Sequence, residues 1–209
     1  MNANPGYLLI VEDDPDILRL LEATLTFKGY RVVTACNGRE GLDAVRRERP
    51  ALVIADIMMP KLDGFGLVHR LRISSETRGI PVIFITATYV APEDKEFALN
   101  IGVTRFVQKP VDLDEFLALI AQLLEQGEAA KMEPLTEFNF YEGYRTRLEA
   151  KLAEIKRQIA RQERLLETVS EDEHLSFQIS IHHAVAERQE VRALLEQVYQ
   201  HLAKFDKPA

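Results

Sequence analysis

Two hydrophobic patterns alternate along the chain up to about residue 125. Short runs rich in Val, Ile and Leu are typical of buried strands, and segments with apolar residues every three or four positions are typical of helices. The runs predict strands over Tyr7–Val11, Arg31–Ala35, Ala51–Ala55, Pro81–Thr86 and Thr104–Val107. The segments between them predict helices over Asp14–Phe27, Gly38–Arg47, Gly64–Arg72, Pro92–Asn100 and Asp112–Glu125. This alternation predicts an α/β domain with a five-stranded, doubly wound parallel sheet covered on both faces.

The remainder of the chain shows a different pattern, in which apolar residues recur with the heptad spacing of a coiled coil. The first predicted seam contains Tyr141, Leu148, Leu152, Ile155, Ile159, Leu166 and Val169. The second contains Phe177, Ile181, Ala184, Val191, Leu195, Val198, Leu202 and Phe205. Gln162 and Arg188 occupy seam positions, where they either lie at an exposed end or fix the register. A joint at Ser170–His174 then folds two long helices into an all-α antiparallel hairpin, or coiled coil.

Glycine and proline mark the boundary between the two patterns. Nine of the ten glycines lie between Gly6 and Gly127, and seven of the nine prolines lie between Pro5 and Pro110. Because both residues favour turns, the first part must turn often and the second part hardly at all. The predicted organisation is an α/β domain over 5–126, a linker over 127–136 and a helical hairpin over 137–207.

Polar side chains lie at or just after the carboxyl ends of four of the predicted strands. Glu12 and Asp13 follow the first strand, Asp56 follows the third, Thr86 ends the fourth and Lys109 follows the fifth. The carboxyl ends of parallel strands meet in one crevice, where three carboxylates repel one another unless a cation joins them. Oxygen ligands of this kind suit Mg²⁺, and a lysine with a hydroxyl suits a phosphoryl group. A carboxylate there can accept a phosphoryl group to form an acyl phosphate.

The segments LLIVEDDPDI, LVIADIMMPKLDGFGL, PVIFITA and FVQKP resemble the receiver domain of two-component response regulators. The resemblance covers roughly residues 5–126, with the motifs in the family's order and spacing. It implies a flavodoxin-like fold in which Asp56 accepts a phosphoryl group from a sensor histidine kinase or a phosphotransfer protein. Such a domain assists only its own phosphorylation and dephosphorylation, and no separate catalytic domain is visible in the sequence.

The same resemblance implies a role for each residue of the site. It gives the Mg²⁺ ligands as Glu12, Asp13, Asp56 and the backbone carbonyl of Met58. It places Thr86 and Lys109 against the phosphoryl oxygens, and it makes Thr86 and Phe106 the switch pair that responds to phosphorylation. Pro110 matches a proline that follows the lysine through a cis bond. Asp14 lies one place beyond the acidic pair, and we expect it to cap the first helix.

The composition of the chain limits the cellular compartments and the classes of binding partner that we expect. The chain has 26 Lys and Arg against 33 Asp and Glu, a net charge of −7, which argues against wholesale binding to nucleic acid or to an anionic membrane. The single cysteine, Cys36, rules out an intrachain disulfide and suits a reducing cytoplasm. No apolar run is long enough to cross a membrane, and the first residues lack a secretory leader. A cytoplasmic protein is therefore expected.

Three outputs are compatible with the tail. The primary hypothesis is protein–protein interaction through the hairpin, with two hairpins pairing into a homodimer because one hairpin buries only one seam per helix. The first alternative is a relay in which His182 or His183 accepts the phosphoryl group from Asp56. The second is a nucleic-acid regulator that uses the basic segment 144–164, which carries seven basic and three acidic residues. The sequence does not name the downstream protein partner.

Overall fold

The computed structural model describes residues 6–86, 92–127, 134–166 and 171–205. It divides into two compact units, Met1–Leu135 and Thr136–Ala209. The predicted linker falls largely outside the described residues, as do Val169 and Ser170 of the predicted seam and joint.

The first unit contains a parallel sheet of five strands in the order β2-β1-β3-β4-β5. The strands are β1 (Leu8–Val11), β2 (Val32–Ala35), β3 (Leu52–Asp56), β4 (Val82–Thr86) and β5 (Arg105–Gln108). Every strand residue of β1, β3 and β4 is buried, whereas the edge strand β5 has a half-buried centre and exposed ends. The predicted fold class is thus confirmed, and β3 and β5 each lie one residue later than predicted.

Among the described residues of the first unit, five helices flank the sheet. They are α1 (Pro15–Phe27), α2 (Gly38–Arg47), α3 (Gly64–Ile73), α4 (Pro92–Asn100) and α5 (Leu113–Gln126). Short polar side chains cap the starts of several helices, where the first backbone N–H groups have no partner within the helix. Asp14 caps α1 as predicted, because its carboxylate accepts hydrogen bonds from the backbone N–H groups of Asp16 and Ile17, at 2.8 and 3.2 Å. Asp112 caps α5 in the same way.

The second unit is a pair of long helices, α6 (Glu137–Leu166) and α7 (Glu171–Leu202). Contacts between them join the start of one helix to the end of the other, so the pair is antiparallel as predicted. From the open end inward, these contacts are the rings of Phe138 and Phe205, the stacked rings of Tyr141 and His201, the hydrogen bond from Tyr199 to Glu149, the ion pair of Lys151 with Glu187, and the hydrogen bond from Gln162 to Ser180.

The predicted seams are largely buried between α6 and α7. Leu148, Ile155, Ile159, Ala184, Val191, Leu195, Val198 and Leu202 are all buried. The first turns of α6 differ from the prediction, because Phe140 and Tyr144 are buried there whereas Tyr141 is only partly buried. Phe205 is exposed and contacts Phe138 at the open end of the pair. Gln162 donates its hydrogen bond to Ser180 across the seam at 2.7 Å, so this polar seam residue does link the two helices.

No helix among the described residues is long and apolar enough to span a bilayer.

The buried seam makes a prediction about stability. Replacing the fully buried Leu148 with Ala should lower the free energy of unfolding by about 2–4 kcal/mol, because the change leaves a cavity against α7. Leu165→Ala on the same helix, where the side chain is exposed, should cost less than about 1 kcal/mol. Chemical denaturation followed by far-ultraviolet circular dichroism measures both. Equal losses in the two variants would contradict this packing.

Candidate functional site

The carboxyl ends of β1, β3 and β4 carry the polar residues expected there. Glu12 follows β1 directly, Asp56 is the last residue of β3, and Thr86 is the last residue of β4. All three residues are buried, although their side chains are polar. Because parallel strands end at the same edge of the sheet, the topology brings these side chains together.

Lys109, which follows β5, connects the carboxylates of this edge. Its ammonium nitrogen Nζ lies 2.8 Å from Oε2 of Glu12 and 3.2 Å from Oδ1 of Asp56. Its backbone N–H donates a hydrogen bond of 2.8 Å to the carbonyl oxygen of Thr86, which extends the pairing of β4 with β5 up to the site. The Lys109–Pro110 peptide bond is cis, as the family resemblance implies.

The second oxygen of the Asp56 carboxylate has a backbone partner. The N–H of Met58 donates a hydrogen bond of 2.7 Å to Oδ2 of Asp56. One carboxylate oxygen thus contacts an ammonium group and the other contacts a backbone amide, so the side chain is held from both sides. The sequence analysis gave Met58 a role only through its backbone carbonyl. The hydrogen bond that its N–H donates to Asp56 could not be predicted, because any residue type can supply a backbone N–H and the methionine side chain is apolar.

The loop that follows Asp56 turns back so that Gly64 lies close to the backbone of Asp56. The N–H of Gly64, at the start of α3, donates to the carbonyl of Ile57 at 2.9 Å. A Cβ atom on Gly64 would lie 2.4 Å from the backbone oxygen of Asp56, a distance that side-chain carbons do not tolerate. Asp63 is buried and caps α3 by accepting from the N–H of Gly66 at 2.9 Å. The motif DGFG therefore supports the backbone of Asp56, a second contribution that the sequence reasoning missed.

Burial and mutual repulsion perturb the ionisable groups of the site. Burial, assisted by the charge of Asp56, raises the pKa of Glu12 above its ordinary value despite the opposing hydrogen bond from Lys109. Desolvation is also the main cause of the raised pKa of Asp13, and the Asp56 charge adds to it. Burial alone lowers the pKa of the Lys109 ammonium, but the Glu12 hydrogen bond and the two carboxylate charges outweigh it and raise the pKa. The site therefore concentrates negative charge that one lysine only partly offsets.

Glu12, Asp13 and Asp56 together offer ligand atoms for a divalent ion. Each offers a carboxylate oxygen, and these oxygens all lie within 4.8 Å of one another. In octahedral coordination with bonds of ~2.1 Å, neighbouring oxygens lie ~3.0 Å apart and opposite ones ~4.2 Å apart, so the three carboxylates would draw together by up to about 2 Å around a bound Mg²⁺. All the donors are hard oxygen atoms, which fits Mg²⁺ or Ca²⁺ better than a thiophilic metal.

The remaining predicted residues lie in several environments. Phe106, on β5, is half-buried, and its ring meets that of Phe84 edge-on with the centroids 5.6 Å apart. Cys36 is exposed, and its backbone N–H donates to Glu40. His182 and His183 are both exposed on α7, in the second unit. The structure thus joins Glu12, Asp56, Thr86 and Lys109 directly, while the switch role of Phe106 stays a prediction.

The raised carboxyl pKa values predict how stability depends on pH. A folded-state pKa above the unfolded value means that the folded chain binds protons more tightly. The resulting stabilisation is present below the ordinary pKa of 3.8 for Asp13 and is lost as the pH rises through the raised value. With a chelator present at neutral pH, Asp13→Asn should therefore raise the free energy of unfolding, by less than about 1 kcal/mol because Asp13 is exposed and its charge is screened.

The gain should shrink as the pH falls to the ordinary pKa of Asp13, since the wild-type carboxyl is then protonated. Denaturation curves at several pH values measure this difference. Asp43→Asn is the matched control, because Asp43 is paired with Arg46 at 2.9 Å and lies outside the acidic set. A variant that is less stable than the wild type at neutral pH would contradict the electrostatic account.

Comparison with known proteins agrees with this geometry. A family model described as "Response regulator receiver domain" matches residues 8–121. The protein named "Probable transcriptional regulator ycf27" from Porphyra purpurea is 41% identical over 121 residues, which are 58% of this chain and 48% of that protein. "Transcriptional regulatory protein GlrR" from Escherichia coli (strain K12) is 42% identical over 133 residues, which are 64% of this chain and 29% of that protein.

Among solved structures, the chemotaxis response regulator CheY4 of Vibrio cholerae superposes with a TM-score of 0.53 at 30% sequence identity. The match covers 56% of this chain and 98% of that one. The chain spans about half the length of the first of its relatives, 48%. Since the family model accounts for more than half of the chain and the strand ends carry the expected acids and lysine, the chain belongs to the response regulator receiver domain family.

Proposed function

We propose that this chain is a two-component response regulator whose Asp56 accepts a phosphoryl group from a histidine kinase or a phosphotransfer protein. The observation that carries the proposal is the position of Lys109, whose ammonium group lies within 3.2 Å of both Glu12 and Asp56. The reaction serves only the chain's own phosphorylation and dephosphorylation. The output is protein–protein interaction through the helical pair α6–α7.

The transfer uses a carboxylate oxygen of Asp56 as the nucleophile. This oxygen forms a bond to phosphorus while the bond from phosphorus to the donor's imidazole nitrogen breaks. The imidazole keeps the electron pair of that bond and takes up a proton. Lys109 stands beside the accepting carboxylate and offsets the charge of the phosphoryl oxygens, and the Met58 N–H keeps the other carboxylate oxygen in place.

The acidic set is the proposed Mg²⁺ site. Glu12, Asp13 and Asp56, with the backbone carbonyl of Met58, would hold the ion. When bound, Mg²⁺ supplies positive charge that lowers the repulsion between the carboxylates and an incoming phosphoryl group. Burial is the main cause of the raised pKa values of Glu12 and Asp13, and the charge of Asp56 adds to each, so a bound cation would stabilise the charged form of both carboxylates.

The proposed switch joins the site to the outer edge of the sheet. Thr86 ends β4, its carbonyl accepts the Lys109 N–H, and Phe106 lies on the adjoining β5. Movement of the Thr86 hydroxyl toward a phosphoryl group would vacate space for the half-buried Phe106 ring. The phosphoryl group acts by favouring one of two arrangements of these side chains, since it can shift an equilibrium only by its differential affinity for the two states.

The helical pair supports an output by association. It has the extended shape and the heptad spacing of a coiled-coil element, and it leaves Phe138, Leu165, Leu175 and Ile179 exposed. A pair of helices buries only one face of each, so a second copy would cover the remaining apolar surface. The proposal therefore includes a homodimer formed through α6–α7, which would present the surface for the downstream protein.

Nucleic-acid binding is the second candidate, because the relatives are named transcriptional regulators. The outer side of α6 supplies a basic stripe for it, with Arg157, Arg161 and Arg164 exposed at successive steps of four and three residues. The net charge of −7 and the acidic residues of the same helix weigh against this candidate.

The phosphorylation test uses the full chain with Mg²⁺ and acetyl phosphate. Intact mass spectrometry should show one added phosphoryl group that is removed by hydroxylamine, as an acyl phosphate is. Asp56→Asn should abolish the addition, and Lys109→Gln should slow it by roughly a hundredfold because a charge-stabilising donor is lost. The control Asp43→Asn should be phosphorylated like the wild type. Undiminished labelling of Asp56→Asn would refute the proposed acceptor.

The nucleic-acid candidate predicts salt-dependent binding. Titration of the full chain with mixed-sequence duplex DNA at several salt concentrations should give a slope that falls by about 0.9 for each phosphate-contacting arginine removed. Arg161→Gln and Arg164→Gln test the stripe, and Arg39→Gln, an exposed arginine of the first unit, is the control. Absence of salt-dependent binding in the wild type would eliminate this output and leave protein association.

A further inference from the structure

The loop that joins β3 to α3 contains a strained backbone residue close to the site. The carbonyl of Pro60 accepts a hydrogen bond of 2.7 Å from the N–H of Leu62, which closes a γ-turn around Lys61. Lys61 has a φ of 65°, and among the residues that the structure describes it is the one non-glycine residue with a positive φ. Residues with a Cβ atom rarely adopt this conformation, so the surrounding structure must hold Lys61 in it.

The side chain of Lys61 forms an ion pair that is too exposed to hold the turn. Its ammonium nitrogen lies 3.5 Å from Oε1 of Glu40, and the two side chains are 62% and 49% exposed. Ion pairs between exposed side chains contribute little to stability, because water screens the charges and both side chains lose freedom. The turn must therefore be held mainly by the residues beside Lys61 in the chain.

Leu62 attaches the end of the turn to two helices. Its carbonyl accepts a hydrogen bond of 2.9 Å from the N–H of Gly38, the first residue of α2, whose N–H has no partner within the helix. Its half-buried side chain fills the space between Gly38 of α2 and Gly66 of α3, which we call the glycine notch. A Cβ atom on Gly66 would lie 2.6 Å from Cδ1 of Leu62, and one on Gly38 would lie 3.1 Å from its Cγ.

The same loop carries the backbone group that holds Asp56. The N–H of Met58 donates its hydrogen bond of 2.7 Å to Oδ2 of Asp56. Three residues separate Met58 from Leu62, and one of them is Pro60, whose ring restricts its φ. A displacement of Leu62 is therefore passed back along the loop toward Met58, because the short segment between them has little freedom to absorb it.

We propose that Leu62 is a positioning residue of the phosphorylation site. By filling the glycine notch it holds the strained turn at Lys61, and the turn keeps the backbone of Met58 against Asp56. The Met58 N–H then stays on the carboxylate of Asp56, and the Met58 carbonyl stays available to the proposed Mg²⁺. The part that concerns the ion rests on the proposed function, whereas the part that concerns the N–H rests on the observed hydrogen bond.

The amide proton of Met58 tests this role without metal. In the ¹⁵N-labelled full chain with a chelator, nuclear magnetic resonance should show this proton downfield, because it donates to a charged carboxylate. Leu62→Ala should move the signal upfield, and Leu62→Met, which keeps a side chain of similar length in the glycine notch, should restore it. Leu25→Ala is the matched control, because it empties a fully buried position in the core between α1 and the sheet. The control should cost at least as much stability and leave the signal in place.

Metal affinity tests the same role at the proposed ion site. Calorimetric titration of the full chain with Mg²⁺ should show that Leu62→Ala weakens binding by about tenfold, as loss of the support behind a metal ligand does. Leu62→Met and Leu25→Ala should bind Mg²⁺ like the wild type. Weakening of equal size in Leu62→Ala and Leu25→Ala would reduce Leu62 to a general packing residue and overturn the inference.

Relief of the strain at Lys61 separates positioning from packing. Glycine adopts a positive φ without steric cost, so the turn should persist in the double variant Lys61→Gly/Leu62→Ala even with the glycine notch empty. This variant should recover most of the Mg²⁺ affinity and the downfield Met58 signal. The matched variant Lys61→Ala/Leu62→Ala removes the same charge but keeps a Cβ atom, so it should not recover either. Equal behaviour of the two double variants would contradict a role for the strained turn.

The outcomes distinguish this inference from the proposed function. A wild type that binds no Mg²⁺ overturns the proposed metal site and the role of Leu62 toward the ion, and the Met58 signal then decides the role of Leu62 toward Asp56. A wild type that binds Mg²⁺, with an unchanged Met58 signal and affinity in Leu62→Ala, overturns the inference alone. Should Leu62→Ala fail to fold, Gly38→Ala replaces it, because its Cβ atom would lie 2.6 Å from the Leu62 carbonyl oxygen and displace the loop. The same upfield shift and loss of affinity are expected, and their absence would overturn the inference.

Discussion

Mutual repulsion among Glu12, Asp13 and Asp56 is the constraint on which the functional edge of the sheet depends. Three carboxylates within 4.8 Å of one another are unfavourable in a partly desolvated place unless positive charge compensates them. Lys109 supplies that charge from the carboxyl end of the outer strand β5, across 97 residues of sequence from Glu12 and 53 from Asp56. Three carboxylates against one ammonium group leave net negative charge that would attract a divalent cation, and burial raises the pKa of Glu12 at the same place.

The apolar sheet makes this arrangement rigid. The residues of β1, β3 and β4 are buried on both faces, so a change of register would place polar groups in the core. The strand ends are consequently held in place, and with them the backbone atoms of Asp56 and Thr86. Local contacts then orient the side chains, the Met58 N–H for Asp56 and the Thr86 carbonyl for the backbone of Lys109. A precise polar site is therefore built on a part of the molecule whose own sequence pattern is almost wholly apolar.

The sequence predicted those parts of the structure that follow from hydrophobic periodicity and from the order of the strands along the chain. Strand and helix types, the order of the site residues and the capping role of Asp14 all follow from short-range pattern. Sequence reasoning failed where packing chooses between similar neighbours, as at the start of α6, where Phe140 rather than Tyr141 is buried. It also missed the hydrogen bond from the Met58 N–H to Asp56 and the close approach of Gly64 to the Asp56 backbone. Neither contact depends on the hydrophobic pattern of the sequence, so the pattern could not predict them. The ion pair of Lys109 with Glu12 required a three-dimensional arrangement, since both residue types are common in loops.

The two units differ in surface chemistry. This difference matters for how phosphorylation of the receiver could affect association through the helices. The receiver gathers three carboxylates around one lysine, whereas α7 exposes the aliphatic side chains of Leu175 and Ile179. A phosphoryl group on Asp56 can change pairing only by the difference in free energy between the receiver's two arrangements, and couplings between sites are typically about 1–3 kcal/mol. A coupling of about 1.4 kcal/mol changes a dissociation constant tenfold. For a picomolar dimer that change would alter nothing at cellular concentrations, whereas for a weak dimer it would move most of the population. If the helical pair associates weakly, a receiver switch of ordinary strength would therefore be able to control that association.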